Sequence, residues 1–148
     1  MIVIPDIRQI IMVAAGRKQT HRFPAGTTNE GWMRHPKIAV GKTHSIYERA
    51  PHGRFGNRSE PPLVSVEIDR VDPSTPLEWT DEEMYYEGFD SVEAYGVWWD
   101  VWRKGDRLCK AWNEMSGEPF WVTTFRLVGF TDYFKRRLEI YHRDVSRG

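Results

Sequence analysis

The stretch LVSVEIDRV at residues 63–71 is the clearest β-strand in the sequence. Its apolar residues Val64, Val66 and Ile68 alternate with polar ones. Strict alternation is typical of a strand that has one face against a core and the other in solvent. We therefore expect this strand to lie inside a sheet, and the rest of the chain is interpreted around it.

Two further segments are predicted to be strands. KIAVGKTHSIYE at 37–48 is apolar at Ile38, Val40 and Ile46, and Gly41 marks a turn or bulge. FWVTTFRLV at 120–128 is predicted to be the last strand of the sheet. Few strands separated by glycine-rich turns favour a small, partly open β-barrel.

Three helices are predicted from their start signals. Residues 6–15 follow Pro5 and are capped by Asp6, whereas 81–87 and 91–103 follow the capping boxes TDEE at 80–83 and DSVE at 90–93. The third helix is expected to bury one aromatic face in the core, formed by Val92, Tyr95, Trp98, Trp99 and Trp102. Residues 104–118 are ambiguous and are interpreted as a further helical turn and a loop, and 129–148 are expected to form a terminal helix or docking arm.

The architecture that follows is α+β: a barrel of about five to six strands with flanking helices. A chain of 148 residues fits one domain. We place that domain at 1–128 and treat 129–148 as a C-terminal extension. Cys109 is the one cysteine, so no internal disulfide can form, and it is expected to be inert. The N-terminus lacks the order of a signal peptide and no run is long enough to span a bilayer, so we expect a cytoplasmic protein with no membrane partner.

Charge is unevenly distributed along the chain, although the formal net charge is zero. Residues 1–58 contain ten Lys or Arg and three Asp or Glu, whereas 59–128 contain six and fifteen. This asymmetry favours an anionic partner such as a phosphate backbone or nucleotide. The alternative is that the basic and acidic parts pair with each other across the fold.

The stretch GRKQTHR at 16–22 is the strongest candidate for chemistry. It follows the first predicted helix, where cations complement the partial negative charge of the C-terminal carbonyls, and it is predicted to be a turn followed by a loop over 23–36. Lys18 becomes a base or nucleophile if burial or neighbouring cations lower its pKa, and Thr20 offers a hydroxyl. The alternative is a solvated surface turn. The scattered histidines predict no metal site, and no cofactor motif is present.

Four segments resemble ASCH domains, which have a PUA-like β-barrel fold. GRKQTHR at 16–22 resembles the family signature G-R-K-T-x-T-x-R, and PKIAVGKT at 36–43 resembles P-K-I-x-V-G-K-T of small bacterial and phage members. EGFDSVEAY at 87–95 resembles E-G-F-x-S-x-E-E-F, and FWVTTF at 120–125 resembles V-W-V-I-x-F. The resemblance covers about residues 7–128.

The resemblance implies RNA binding, and in some members hydrolysis. Some ASCH proteins hydrolyse N4-acylated cytidines through a Lys, a Thr and a Glu, and others are described as ribonucleases. Lys18, Thr20 and Glu87 match these positions, although Thr20 follows Lys18 by two residues where the motif commonly has three. These three are the catalytic candidates, with Glu87 as acid or base, Lys18 as base or oxyanion stabiliser and Thr20 as nucleophile.

A basic cleft formed by 16–22, 23–36 and 49–58 is expected to bind the partner, which would be RNA, single-stranded nucleic acid or a modified nucleoside. The predicted binding residues are Arg17, His21, Arg22, Trp32, Arg34, Lys42 and Arg54. Trp32 could equally anchor its own loop. Two other functions stay open: a binding module without catalysis, and a structural or partner-binding protein.

Overall fold

A five-stranded mixed sheet organises the computed structural model, which describes residues 2–26, 33–34, 36–49, 60–106 and 108–147. The strands are β1 (Ile2–Val3), β2 (Thr20–Pro24), β3 (Thr43–Tyr47), β4 (Val64–Ser74) and β5 (Phe120–Phe130). Their order is β1-β3-β4-β5-β2, with β1 parallel to β3 and the other pairs antiparallel. The two edge strands do not pair with each other, so the sheet is the partly open barrel that the sequence predicts.

Four α-helices flank this sheet in the described part of the chain. They are α1 (Ile7–Ala14), α2 (Asp81–Glu87), α3 (Val92–Trp102) and α4 (Asp132–Arg147). Thr80 caps α2 as predicted, since its side chain accepts a hydrogen bond from the backbone N–H of Glu83. The cap of α3 is Ser91, which accepts from Ala94 N, and not Asp90 as the pattern DSVE predicts.

A β-bulge at Asp69 changes which residues of β4 face the core. Ile68 pairs with Phe125 but Arg70 pairs with Thr124, so two steps along β4 match one step along β5. Before the bulge the alternation holds as predicted, with Val64, Val66 and Ile68 fully buried. After it, the even-numbered residues of β4 face the opposite side of the sheet.

Two apolar clusters hold the described residues together. The first packs α1 and α4 against the sheet, and Phe134 of α4 is among its buried members. The second is aromatic and joins α2 and α3 to the start of β5 through Trp79, Tyr95, Trp99 and Phe120. The aromatic face of α3 is therefore core as predicted, with the exception of Trp102, the last residue of the helix, which is 40% exposed.

Several boundaries differ from the sequence prediction. Residues 37–42 are not strand, because the chain turns at Gly41, whose φ is +80° and whose N–H donates to Ile68 O. The turn at 16–22 ends early, since β2 already begins at Thr20. Residues 129–148 contain the predicted helix, and 104–118 contain one 3-10 turn, Trp112–Glu114. Within the described ranges, no helix has the length and apolar character needed to cross a membrane.

Candidate functional site

The chain is extended from Arg17 into β2, and this places three of its polar side chains toward the end of α2. Lys18, Thr20 and Arg22 are two residues apart, so they share a face of the extended segment. All three side chains contact the carboxylate of Glu87, the last residue of α2. The spacing of two between Lys18 and Thr20 is therefore the one that brings both side chains to the same group.

The Glu87 carboxylate is the centre of the site. Its Oε2 lies 2.7 Å from Lys18 Nζ and accepts from the backbone N–H of Arg22 at 3.2 Å. Its Oε1 lies 2.6 Å from Arg22 Nη1 and accepts from the Thr20 hydroxyl at 3.1 Å. Since β2 is an edge strand, its free N–H is available to this carboxylate. Glu87 thus accepts a backbone hydrogen bond from β2 on the side where this edge strand has no neighbouring strand.

The residues before β2 bind the C-terminal carbonyls of α2, which a short helix leaves without partners. Arg17 Nε donates to Tyr85 O at 3.3 Å, Gln19 N to Tyr86 O at 2.7 Å, and Lys18 Nζ to the backbone carbonyl of Glu87 at 2.6 Å. The prediction that these cations complement the first helix is wrong in this respect: they complement α2. The reason is that the chain leaves α1 and runs past the end of α2.

Lys18 and Glu87 are almost completely buried, with side chains 2% and 1% exposed. Burial lowers the pKa of Lys18, because the protonated amine loses its hydration, while the adjacent carboxylate acts in the opposite direction. The nearby guanidinium of Arg22 lowers it further. The two conditions named for a lowered pKa of Lys18, burial and a neighbouring cation, are therefore both present.

Arg22 is held on one face of its guanidinium by an aromatic ring and at its tip by hydrogen bonds. The guanidinium lies over the ring of Trp79, with 4.9 Å from Cζ to the ring centroid. Its Nη2 lies 3.1 Å from Glu83 Oε2, and its Nη1 also donates to Thr20 Oγ1 at 3.2 Å. Its Nε is buried without a hydrogen-bond partner among the described residues. Arg22 therefore presents a fixed cation beside the Thr20 hydroxyl.

A cavity of about 570 Å³ opens beside this cluster. Thr20 and Arg22 line it, whereas Lys18 and Glu87 do not and lie behind them. The other lining residues come from the segment before β2, from β4, from α2 and from β5: Gln19, Arg70, Asp72, Pro73, Ser74, Glu83, Tyr86, Val122 and Thr124. The cavity is large enough for a nucleoside-sized ligand.

Sequence reasoning missed the residues that β4 and α2 contribute to this cavity. Arg70 and Asp72 continue the alternation of β4 at positions that an unbroken strand would turn toward the core, and the bulge at Asp69 turns them to the cavity instead. Glu83 could have been found, because it precedes Glu87 by four residues and so lies on the same face of α2.

His21 lies away from this cavity. It lines a separate cavity of about 180 Å³ together with Phe23 and Arg103, at the opening of the barrel beside β1. Burial, together with the cations of Lys18, Arg103 and Arg22, holds the pKa of His21 well below its ordinary value. The imidazole is therefore neutral at pH 7, and its Nδ1 is 3.9 Å from Glu87 Oε2.

The remaining predicted binding residues are dispersed. Arg17 lies over the Tyr85 ring and pairs with Asp90 at 3.4 Å. Arg34 accepts a hydrogen bond from Trp121 Nε1 through its backbone carbonyl, and Lys42 is exposed in the turn before β3. None of the three lines the larger cavity. Trp32 and Arg54 lie outside the described residues.

The predicted alternative of pairing between the basic and acidic parts of the chain is seen at this site. The ion pairs Arg17–Asp90, Lys18–Glu87 and Arg22–Glu83 each join the N-terminal segment to α2 or to the residues after it. Much of the local positive charge is therefore neutralised within the fold. Among the described residues, no three His, Cys, Asp or Glu side chains are grouped so as to hold a metal ion.

The sheet order, the edge-strand site and the flanking helices define a small α+β protein with a cavity at the rim of a partly open barrel. Its fold is that of ASCH domains. The structure superimposes on the crystal structure of an ASCH domain from Lactobacillus crispatus JV V101 with a TM-score of 0.53 and 14% identity, covering 82% of this chain and 70% of that one.

A second crystal structure, of a DUF984 protein from Enterococcus faecalis V583, superimposes with a TM-score of 0.54 and 15% identity, covering 85% of this chain and 72% of that one. Neither a protein-family model nor a curated protein sequence matches the chain. The ASCH-like fold that the sequence motifs predict is thus confirmed at the level of structure.

Proposed function

We propose that the larger cavity binds a modified cytidine, free or as one base of single-stranded RNA, and that the protein hydrolyses the amide of its N4-acyl group. The observation that carries this proposal is the position of the Thr20 hydroxyl. It lines the cavity, donates to Glu87 Oε1 and accepts from Arg22 Nη1. A hydroxyl held between a carboxylate and a cation is an arrangement that activates a nucleophile.

The lining suits a nucleoside. Tyr86 supplies an aromatic wall, Val122 an apolar floor, and Thr124 and Arg22 polar groups for the edge of a base. A planar pyrimidine can pack on the apolar and aromatic surfaces while its exocyclic amide faces Thr20. The fold similarity to an ASCH domain adds support for a nucleotide or RNA ligand in general terms.

The chemistry assigns one role to each side chain. Thr20 Oγ attacks the carbonyl carbon of the amide, and its proton passes to Glu87 Oε1. Arg22, beside the same hydroxyl, stabilises the oxyanion that forms on the carbonyl oxygen. The C–N bond then breaks, the amine leaves with that proton, and water hydrolyses the acyl–threonine ester to release the carboxylic acid.

Lys18 has a supporting role in this scheme. Its ammonium group contacts both the carboxylate and the backbone carbonyl of Glu87, and it does not reach the cavity wall. It orients Glu87 and balances its charge in a buried environment, so Lys18 is a positioning residue here. The proposal therefore moves the role of base from Lys18 to Glu87.

A second candidate function is a binding module without catalysis. It is favoured by the number of donors on Glu87, which are Lys18 Nζ, Thr20 Oγ1, Arg22 Nη1 and Arg22 N. In this second function the carboxylate has a structural role and joins β2 to α2, without taking part in proton transfer. The cavity would then recognise a base and release it unchanged.

Incubation of the purified protein with N4-acetylcytidine tests the proposal. We expect release of cytidine and acetate in equal amounts, and loss of turnover in Glu87→Gln. A protein that binds N4-acetylcytidine without turnover would be a binding module, and one that neither binds nor hydrolyses it would contradict both. Single-stranded RNA in the same assay, followed for chain cleavage, tests the ribonuclease activity described for other ASCH proteins.

A further inference from the structure

Two rows of side chains cross three strands and form the floor of the larger cavity. In the first row Thr20 pairs with Thr124, which pairs with Arg70. In the second row Arg22 pairs with Val122, which pairs with Asp72. All six residues line the cavity. Thr20 and Arg22 therefore form one wall of the cavity, and Arg70 and Asp72 form the opposite wall.

The separation of the two walls follows from sheet geometry. Neighbouring strands lie about 4.8 Å apart, so β2 and β4 are separated by about 10 Å across β5. This is the order of length of a pyrimidine nucleoside from its exocyclic amide to its ribose hydroxyls. A nucleoside with its amide at Thr20 therefore extends over Thr124 and Val122 and brings its sugar to β4.

Asp72 is the acceptor at that end. Its side chain is 55% exposed, and its nearest ion-pair partner among the described residues is Arg70, with 3.7 Å between Nε and Oδ2. A separation of 3.7 Å is too long for a hydrogen bond, so the carboxylate keeps capacity for a ligand. The bulge at Asp69 is what turns this side chain to the cavity, and bulges commonly re-aim side chains beside binding sites.

We propose that Asp72 accepts hydrogen bonds from the vicinal 2′- and 3′-hydroxyls of a ribose and makes the site selective for ribonucleosides over 2′-deoxyribonucleosides. The inference rests on the proposed function, since it places the amide of the ligand at Thr20. An ionised carboxylate is an acceptor only, with two oxygens that suit two neighbouring hydroxyl donors. The exocyclic nitrogen of the base lies at the opposite wall, beside Thr20, so the sugar supplies these donors.

The experiment compares N4-acetylcytidine with N4-acetyl-2′-deoxycytidine in the wild-type protein and in three variants. The variants are Asp72→Ala, Asp72→Asn and, as a control carboxylate on the same strand outside the cavity and before the bulge, Glu67→Gln. We expect wild type to prefer the ribonucleoside by roughly tenfold or more in kcat/KM, because hydrogen bonds to a charged group are stronger than neutral ones.

We expect substitution of Asp72 to change KM and not kcat. Asp72→Ala should raise KM more for the ribonucleoside, which loses two hydrogen bonds to a charged group, than for the deoxyribonucleoside, which loses only the one from its 3′-hydroxyl. The preference should therefore fall to within about twofold. Asp72→Asn should fall between wild type and Asp72→Ala, and Glu67→Gln should behave as wild type. Equal hydrolysis of both nucleosides by wild type, or a preference retained in Asp72→Ala, would overturn the inference and leave the proposed function standing.

If no hydrolysis occurs, binding measurements test the role of Asp72 separately from the catalytic proposal. Calorimetric titration with cytidine and 2′-deoxycytidine then gives the preference directly. Tighter binding of cytidine that Asp72→Ala abolishes would support the role of Asp72 and overturn the catalytic proposal. Equal binding of the two nucleosides, or binding of neither, would overturn the role of Asp72.

Discussion

Lys18 Nζ lies 2.7 Å from Glu87 Oε2, and this buried ion pair joins the segment after α1 to the end of α2 across 69 positions of the chain. Both charges have left water, which is costly unless each is paired and hydrogen-bonded. Here the carboxylate has two cations and the ammonium has two acceptors. Removal of one partner therefore leaves the other charge buried without compensation.

Glu87→Ala is expected to lower the free energy of unfolding by about 3–5 kcal/mol, because Lys18 and Arg22 would keep buried charges without a partner. Urea unfolding at pH 7 measures this change. Glu83→Ala is the matched control on the same helix, since that side chain is 50% exposed and its pair with Arg22 should contribute about 1 kcal/mol or less. Equal losses in the two variants would contradict the central position of Glu87.

Part of the Glu87→Ala loss should be recovered by removing the opposing charge. Buried ion pairs can be replaced by apolar residues of similar size with little net cost. The double variant Lys18→Met with Glu87→Leu is therefore expected to be more stable than Glu87→Ala. A double variant that is less stable would mean that the hydrogen bonds of Lys18 and Glu87 to the backbone matter more than their charges.

Thr20→Ser and Thr20→Val differ by the hydroxyl that the proposed reaction needs. Thr20→Ser should retain most of the turnover of N4-acetylcytidine, whereas Thr20→Val should lose at least about 100-fold, since acid–base assistance to such a group contributes roughly that much. Thr43→Val, on the exposed start of β3, should leave turnover unchanged. Retained activity in Thr20→Val would remove Thr20 as nucleophile and leave activation of water by Glu87.

The elements with a strong local signal could be predicted from the sequence. The alternation of 63–71 predicts the first half of β4, and the motif TDEE predicts the start of α2, because both depend on neighbours along the chain. The segment 37–48 is predicted to be a strand with a turn or bulge at Gly41. The turn and the strand after it are confirmed, but residues 37–42 are not strand, although their apolar residues resemble a strand pattern.

The site could be predicted only in part, for a physical reason. Lys18, Thr20 and Glu87 were identified from motif resemblance, and the structure places their side chains in contact. The far wall of the cavity was not predicted, because the faces of Arg70 and Asp72 depend on a bulge in the pairing of β4 with β5. Strand pairing between distant segments leaves no local pattern.

Phe134→Ala tests whether the C-terminal extension is part of the folding unit. Phe134 is buried in the same cluster as Ile10 and Val64, so its truncation should cost about 3–5 kcal/mol. Ile140→Ala, on the exposed side of α4, should change stability little. The measurement is thermal or urea unfolding followed at one wavelength in the near ultraviolet. A Phe134→Ala protein as stable as wild type would mean that 129–148 is an appendage.

The buried imidazole of His21 is expected to make the protein less stable in mild acid. Its folded pKa is held well below 6.5 by burial and by the cations of Lys18, Arg103 and Arg22, with the carboxylate of Glu87 opposing them at 3.9 Å. Below pH 6.5 the unfolded chain therefore binds a proton that the folded protein does not. Stability rises with pH in that window and is lost as the pH falls, by up to about 1.4 kcal/mol per pH unit.

His21→Gln should flatten this dependence between pH 6.5 and 5. The free energy of unfolding from urea titrations at several pH values gives the slope, and the slope should be shallower in His21→Gln than in wild type. His142→Gln, on the exposed surface of α4, should keep the wild-type slope. Burial also lowers the pKa of His44, but that residue is present in both variants and contributes equally. A slope unchanged in His21→Gln would mean that the imidazole is protonated inside the fold, in which case it would be a third cation beside Glu87, after Lys18 and Arg22.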